Sequence, residues 1–377
     1  MFIYLFVFFL SILLLSAEEK IAVNNTSISK GLNANRIFCL LLLLLAILPP
    51  SLLAGFRDYS IGTDVSVYGN IWFNIAVKTP SFLNYINWAT SSSIGFLYAL
   101  FNYVVARFTN NPHFFYFWYS FIEIAIVVFT LKKNRDLVSL PIGMAIFLFL
   151  FFNLSLNILR QGMSLVILLY GFSYIRQKNL IKYTICLLIA YLFHNTALIG
   201  ILVYLIYNYS NKKPRIVYQL IIVLVTLVII CGFTQIQSYL LNVNILDQRY
   251  STYLNNSNLV RGGFLTHLFL FCFPTLMLYF FNKSENNTFY GLRMIVIVSA
   301  LLSILNLKIA FLSRITLYFD IFFVFALGYI VDKGKNINYK SLSFNKIILF
   351  IYLLTYWIII YALMGSGETV PYIFMTY

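Results

Sequence analysis

Acid is scarce in this chain. Of 377 residues only 11 are Asp or Glu, against 26 Lys and Arg, and charged residues of both signs make up 10%. A soluble domain carries roughly a quarter. Hydrophobic residues reach 61% and mean hydropathy is +0.87, which also excludes disordered and collagenous chains. Cysteine is scarce too: Cys39, Cys186, Cys231 and Cys272 each lie in or beside a separate apolar run, with no CxxC between them. That excludes a disulfide framework and a thiolate metal site. HExxH, Cys/His metal spacing, a dinucleotide glycine fingerprint and DxD are all missing. Gly328…Gly334-Lys335 has the wrong spacing for a phosphate loop, with Asn336 in place of the hydroxyl. No metal or cofactor is therefore expected, and a metal-dependent cytoplasmic sugar transferase is disfavoured.

Long apolar stretches are abundant. Phe38–Leu48 and Ile216–Phe233 require a bilayer as solvent, and their length fits helices rather than the alternating strands of a barrel. The expected fold is all-α, a polytopic bundle with roughly 12–14 membrane segments forming one integral membrane domain over 1–377. Spans are placed near 2–16, 36–54, 90–107, 113–131, 139–156, 161–176, 180–193, 196–209, 216–234, 264–281, 292–310, 314–331 and 346–363. The first lacks a basic start and a cleavage site and reads as a retained anchor helix. Basic clusters at Lys132–Arg135, Arg176–Lys182, Lys212–Arg215 and Lys333–Lys346 mark cytoplasmic loops, not a nucleic-acid surface. Residues 55–89, 157–160, 194–195, 235–263 and the C-terminus then face outward. The parity does not close. One segment within 71–112 must be re-entrant or interfacial, or one span is misplaced, and Ile71–Asn87, interrupted by Pro80, is the expected extra crossing.

Four constellations interrupt the apolar background. Arg57-Asp58-Tyr59-Ser60-Ile61-Gly62-Thr63-Asp64, followed by Tyr68, puts two of the eleven carboxylates in one outer loop. Asn153…Asn157…Arg160-Gln161…Ser164 lies inside an apolar stretch from Leu137 to Tyr174. As one helix that stretch would reach about 57 Å, against a core of ~30 Å, so the chain must break near the polar stripe. An arginine placed centrally and unpaired is costly, whereas one at a helix end can snorkel to the interface; its fork suits a diphosphate. His194-Asn195 follows: from Arg160 the chain runs about sixteen residues inward and about sixteen back, placing Arg160 and His194 at one level of a helix hairpin. His113 and His267 have no visible partner. Finally Arg314, with Tyr318 and Asp320 on the same helix, is joined on the outer side by Lys308, Arg249 and Arg261, a set suited to an anionic ligand such as a lipid pyrophosphate. Asp320 is also a natural neutraliser of a neighbour inside the bundle.

The Arg57…Gly62-Thr63-Asp64…Tyr68 loop, Asn157-x-x-Arg160-Gln161, the His194 turn and the late Arg314…Tyr318 helix together resemble the Wzy/EpsG-type polysaccharide polymerases of bacterial surface-glycan assembly. Where many relatives carry serine before the alanine, this turn reads His194-Asn195-Thr196-Ala197. The resemblance implies a multi-pass protein of the bacterial inner membrane, its site facing the periplasm. It implies undecaprenyl-pyrophosphate-linked oligosaccharide as donor and acceptor, the growing glycan passing to the non-reducing end of a fresh unit, with membrane lipid and a chain-length regulator as further partners. On that footing Arg160 and Arg314, then Arg57, hold the leaving pyrophosphate, and Asn157, Gln161, Tyr68 and Tyr318 contact substrate. His194 or Asp64 takes the acceptor proton, His194 being slightly preferred. A flippase for the same lipid-linked glycan, or a related ligase, is the alternative reading.

Overall fold

The computed structural model describes residues 1–24, 34–242, 263–282, 286–307, 313–333, 338–339 and 342–375. Arg249, Arg261 and Lys308 lie outside them. The described chain is almost wholly helical, apart from a two-residue strand pair, Asn338–Tyr339 with Leu342–Ser343. Among the described residues, eight helices are long and apolar enough to cross a membrane. Internal contacts divide the chain into two compact units, one of 1–173, 184–198 and 331–377, the other of 174–183 and 199–330.

In the first unit, α1 (Phe2–Asn24) packs along α2 (Ala34–Gly55). Pro49 and Pro50 sit inside α2, and Pro50 has no N–H for the Ala46 carbonyl one turn back. Ser11 of α1 supplies the missing donor, its Oγ lying 2.7 Å from that carbonyl. Hydrocarbon leaves few other ways to satisfy the group.

Three short helices follow: α3 (Asn70–Lys78), α4 (Phe82–Ser91) and α5 (Phe96–Ala106). Then α6 (Pro112–Lys133) starts on an Asn111 cap with proline at its first position. The His113 ring approaches the Gly55 carbonyl at 2.8 Å, so α6 begins where α2 ends. At its far end Lys132 and Arg135 pair with Glu18 of α1, which is 1% exposed. The chain therefore enters and leaves 56–111 at one end of the unit, here called the Arg57 end. The expected span 90–107 is corrected: its helix α5 has 11 residues, about 16 Å, too short to cross. Ile71–Asn87 is likewise not a crossing but two short helices. This removes the parity conflict.

α7 (Leu140–Asn157) returns from the Glu18 end through a π-helical turn at Leu148–Phe152. α8 (Leu159–Arg176) and α9 (Leu180–Phe193) follow, and the last long helix, α16 (Asn345–Leu363), rejoins the unit. Tyr361 of α16 donates to the Leu150 carbonyl inside that π turn, and Trp357 donates to Asn153 Oδ1 at 2.7 Å. Trp357, Tyr4, Phe8 and Phe152 make the aromatic core beneath.

The second unit contains α10 (Gly200–Tyr209), α11 (Arg215–Cys231), α12 (Phe233–Asn242), α13 (Gly263–Phe280), α14 (Asn287–Leu307) and most of α15 (Ser313–Lys333). Inside it His267 Nε2 lies 2.9 Å from Asp320, whose other oxygen accepts from Ser299. His267 thus has a partner after all. The two residues stand 53 positions apart on different helices, a pairing that no local spacing reveals.

Candidate functional site

The break expected near the polar stripe falls at Ile158. There the backbone leaves helical values (φ −90, ψ 58) before α8 starts. This leaves the Leu156 carbonyl without a helical partner in a buried place, and side chains meet it and the Leu159 carbonyl just past the break. Arg57 donates to Leu156 O at 2.6 Å and Tyr119 to Leu159 O at 3.1 Å. Arg57 is 1% exposed, its guanidinium lying 4.9 Å over the Tyr116 ring, and burial pulls its pKa down. Instead of facing ligand, it holds the break from beneath.

The Gly-Thr-Asp loop docks on the same break. Asn157 Oδ1 accepts from Thr63 Oγ1 at 2.7 Å and from the Asp64 N–H at 3.1 Å. Gly62 lies at φ +85, and a Cβ there would meet the Leu156 carbonyl oxygen at 2.9 Å, so only glycine permits the approach. Asp64 is 8% exposed and opens a π-helical turn, Val65–Gly69, which leads to Tyr68 and Trp72. In the loop itself Asp58 accepts from the Ser60 hydroxyl and then its N–H, which hold that carboxyl below the usual range.

Arg160 sits at the first turn of α8. Its guanidinium lies 4.7 Å from the centre of the Trp72 ring and 5.2 Å from that of Tyr68, two rings stacked on each other at 4.4 Å. It also reaches the Ser93 carbonyl at 3.4 Å. Two residues further on, Gly95 packs so tightly on the end of α9 that a Cβ would overlap the Phe193 carbonyl at 2.2 Å. The Ser93–Gly95 turn therefore bridges Arg160 to the residue before His194. Ser164 Oγ adds a bond to the Ala190 carbonyl at 2.8 Å. Arg160 and His194 do share a level, as the equal helix legs imply. Thr196 lies 2.7 Å from His194 Nδ1 and fixes the ring, filling the place where a serine was expected.

Two components have no counterpart in the sequence reading. Residues 365–375 form a strap over the loop: the Asp58 N–H donates to Ile373 O at 2.9 Å, Met375 N–H to Phe56 O at 2.8 Å and Gly62 N–H to Glu368 O at 3.2 Å. Thr369 ties the strap down, its hydroxyl accepting from Asn153 and its carbonyl from Tyr4. The other is Glu123 of α6, 3% exposed, whose Oε1 lies 2.9 Å from the Cβ position of Gly162, beside Ser155. A side chain at position 162 would force this carboxyl to shift under the first turn of α8.

Gln161 is buried at the same turn. Arg314 and Tyr318 lie at the start of α15, in the second unit. Tyr318 is buried and Arg314 is partly exposed. Within the first unit, then, Asp64, Tyr68, Asn157, Arg160, Gln161 and His194 surround one helix break, with Arg57 below it.

A helical membrane protein with a broken span, a strapped loop and an arginine shelved on aromatic rings is thereby defined. The sequence matches the EpsG family over residues 40–374, nearly its whole length, and the chain belongs to that family. It is a membrane protein of the polysaccharide-polymerase type. No curated protein and no solved structure matches it.

Proposed function

We propose that the protein extends a surface polysaccharide by transferring the growing glycan from undecaprenyl pyrophosphate to the non-reducing end of another lipid-linked unit at the periplasmic face of the inner membrane. The observation that carries this reading is the Arg160 guanidinium, held on the Tyr68–Trp72 rings and joined through the Ser93–Gly95 turn to Phe193, the residue before His194. In the transfer, the acceptor hydroxyl oxygen forms the new bond to the anomeric carbon. The bond from that carbon to the pyrophosphate oxygen breaks, and the electron pair leaves with the pyrophosphate. Arg160 meets the developing negative charge, and Arg314 is the second cation proposed for that role. A rigid cation in a water-poor place is worth more there than in solution. His194 takes the hydroxyl proton, with Asp64 as the other candidate. Asn157 sets the loop on the break, Arg57 supports it, and Tyr68 offers a ring face to sugar.

Deletion of the gene followed by gel analysis of surface glycan length tests the reading directly: single repeat units should accumulate outside. Arg160→Ala and Arg314→Ala should each abolish extension, with at least a hundredfold loss for a ~2.7 kcal/mol electrostatic contribution, while the protein still inserts. His194→Ala should cause a large, incomplete loss. Long-chain glycan of normal length from the Arg160→Ala and Arg314→Ala strains would remove the site, and units trapped inside the cell would indicate translocation instead.

A further inference from the structure

The second unit gathers positive charge at the end opposite Arg314. Arg215 opens α11 and lies 4.4 Å from the centre of the Tyr290 ring; Arg293 lies 5.2 Å from the same ring. Two guanidinium groups on one ring repel each other, and neighbours hold both in place. Asn287 Oδ1 accepts from Arg215 at 3.0 Å and Gln219 Oε1 from Arg293 at 3.1 Å. Lys212 stands 4.1 Å from the Tyr209 ring and 5.9 Å from that of Tyr218. Among the described residues no carboxylate forms an ion pair with any of the three. The Nε atoms of Arg215 and Arg293 are buried without an acceptor. The N-termini of α11 and α14 meet here through the Arg215–Asn287 bond, adding two positive dipole ends. Among the described residues every charge in this cluster is positive and no carboxylate neutralises it; Glu285 lies outside them.

An apolar groove of about 390 Å³ begins at the same place. Its lining starts at Tyr209 and Tyr218, the rings under Lys212, passes Val225, Ile229 and Val298, and reaches Phe233. From Tyr218 to Ile229 along α11 that is about 16 Å, matching the ~15 Å depth of one leaflet. Apart from Thr226 and the two tyrosines, every lining residue is hydrocarbon or phenylalanine. A ligand complementary to both parts has a phosphate at one end and a long saturated or nearly saturated chain at the other.

We propose that this is a binding site for an anionic phospholipid, its phosphate on Lys212, Arg215 and Arg293 and one acyl chain along α11. Basic pockets between membrane helices bind anionic head groups in this way. The site is separate from the proposed pyrophosphate grip, because Asn287 and Ser313 mark opposite ends of the α14–α15 pair, and it stands whether or not the polymerase reading does.

The test is lipid retention, not glycan synthesis. The full chain is reconstituted in phosphatidylcholine vesicles containing a small fraction of spin-labelled phosphatidylglycerol, and the immobilised fraction is measured. The wild type should immobilise the glycerol lipid in preference to spin-labelled phosphatidylcholine. Lys212→Gln, an exposed change that leaves the fold alone, should weaken this about fivefold, and Arg215→Gln with Arg293→Gln about fivefold for each cation removed. Val225→Trp should displace the chain while leaving the cations intact. Equal immobilisation of both lipids, or wild-type retention in the arginine double variant, would overturn the proposal. Displacement by millimolar inorganic phosphate with no effect of Val225→Trp would make this an anion site without a lipid. Preferential displacement by a polyprenyl phosphate would assign the groove to the carrier and equally sink the phospholipid.

Discussion

At the scale of single residues, the site is governed by carbonyls that a helix break leaves bare. Leu156 O is taken by Arg57 and approached by Gly62, so both are fixed by one oxygen. Gly62→Ala meets strain at φ +85 and a contact at 2.9 Å together. The expected cost is about 1–3 kcal/mol, read as a lowered melting temperature in detergent along with loss of glycan extension. Gly365 also has positive φ, +64, but open space around its Cβ position. Gly365→Ala should therefore cost distinctly less, and equal losses at the two glycines would show that the carbonyl contact is not what matters. Arg160 invites a finer substitution. Its two rings hold a flat cation by its face, a geometry that an ammonium cannot copy. Arg160→Lys keeps the charge yet should lengthen glycan poorly, whereas Trp72→Phe, which keeps a ring, should retain most of the activity. Glycan ladders from the two strains compare them directly, and a normal ladder from Arg160→Lys would reduce the role of Arg160 to bulk charge.

At the scale of elements, the strap at 365–375 and the break at 157–159 act as one piece. Asn153 connects them, donating to Thr369 and accepting from Trp357 in a fully buried place. Thr369→Val strands the Asn153 amide, at about 1–3 kcal/mol for a buried group left unpaired. Removal of residues 365–377 also leaves the Asp58, Gly62 and Phe56 backbone groups without partners. The truncated chain should insert, expose 57–64 to an added protease and lose extension. Phe374→Ala, at a side chain 58% exposed, should do none of this. The break was legible because an apolar stretch from Leu137 to Tyr174 is longer than any bilayer, and the shared level of Arg160 and His194 followed from equal legs. The strap was not legible: its contacts are mostly backbone bonds, which carry no side-chain pattern. The His267–Asp320 pair escaped for a related reason, since its partners meet only after α13 and α15 pack. α5 misled because Phe96–Ala106 is as apolar as a true span, and hydropathy alone does not register that eleven residues reach only half-way.

At the scale of the whole molecule, the Arg57 end and the Glu18 end of the first unit differ in chemistry. One collects the loop, the break, the strap and the His194 turn. The other collects Glu18 with Lys132 and Arg135, and Asp332 with Ser139 and Lys346. Positive loops belong on the cytoplasmic side, so the proposed function expects the Arg57 end outside. Because α3, α4 and α5 have 9, 10 and 11 residues, none crosses, and everything from Asp58 to Phe108 must share one side of the membrane. Membrane-impermeant maleimide labelling checks this once Cys39, Cys186, Cys231 and Cys272 have been replaced. Asp58→Cys, Phe108→Cys and Glu368→Cys should all label from outside intact cells, or spheroplasts where an outer membrane intervenes. Asp136→Cys should label only after the membrane is opened. Phe108 is the decisive position, exposed at 86% just before α6. If it labelled with Asp136, the chain would cross between Asp58 and Phe108. The His113–Gly55 contact would then join opposite faces of a bilayer, and the site assembled around Ile158 would come apart with it.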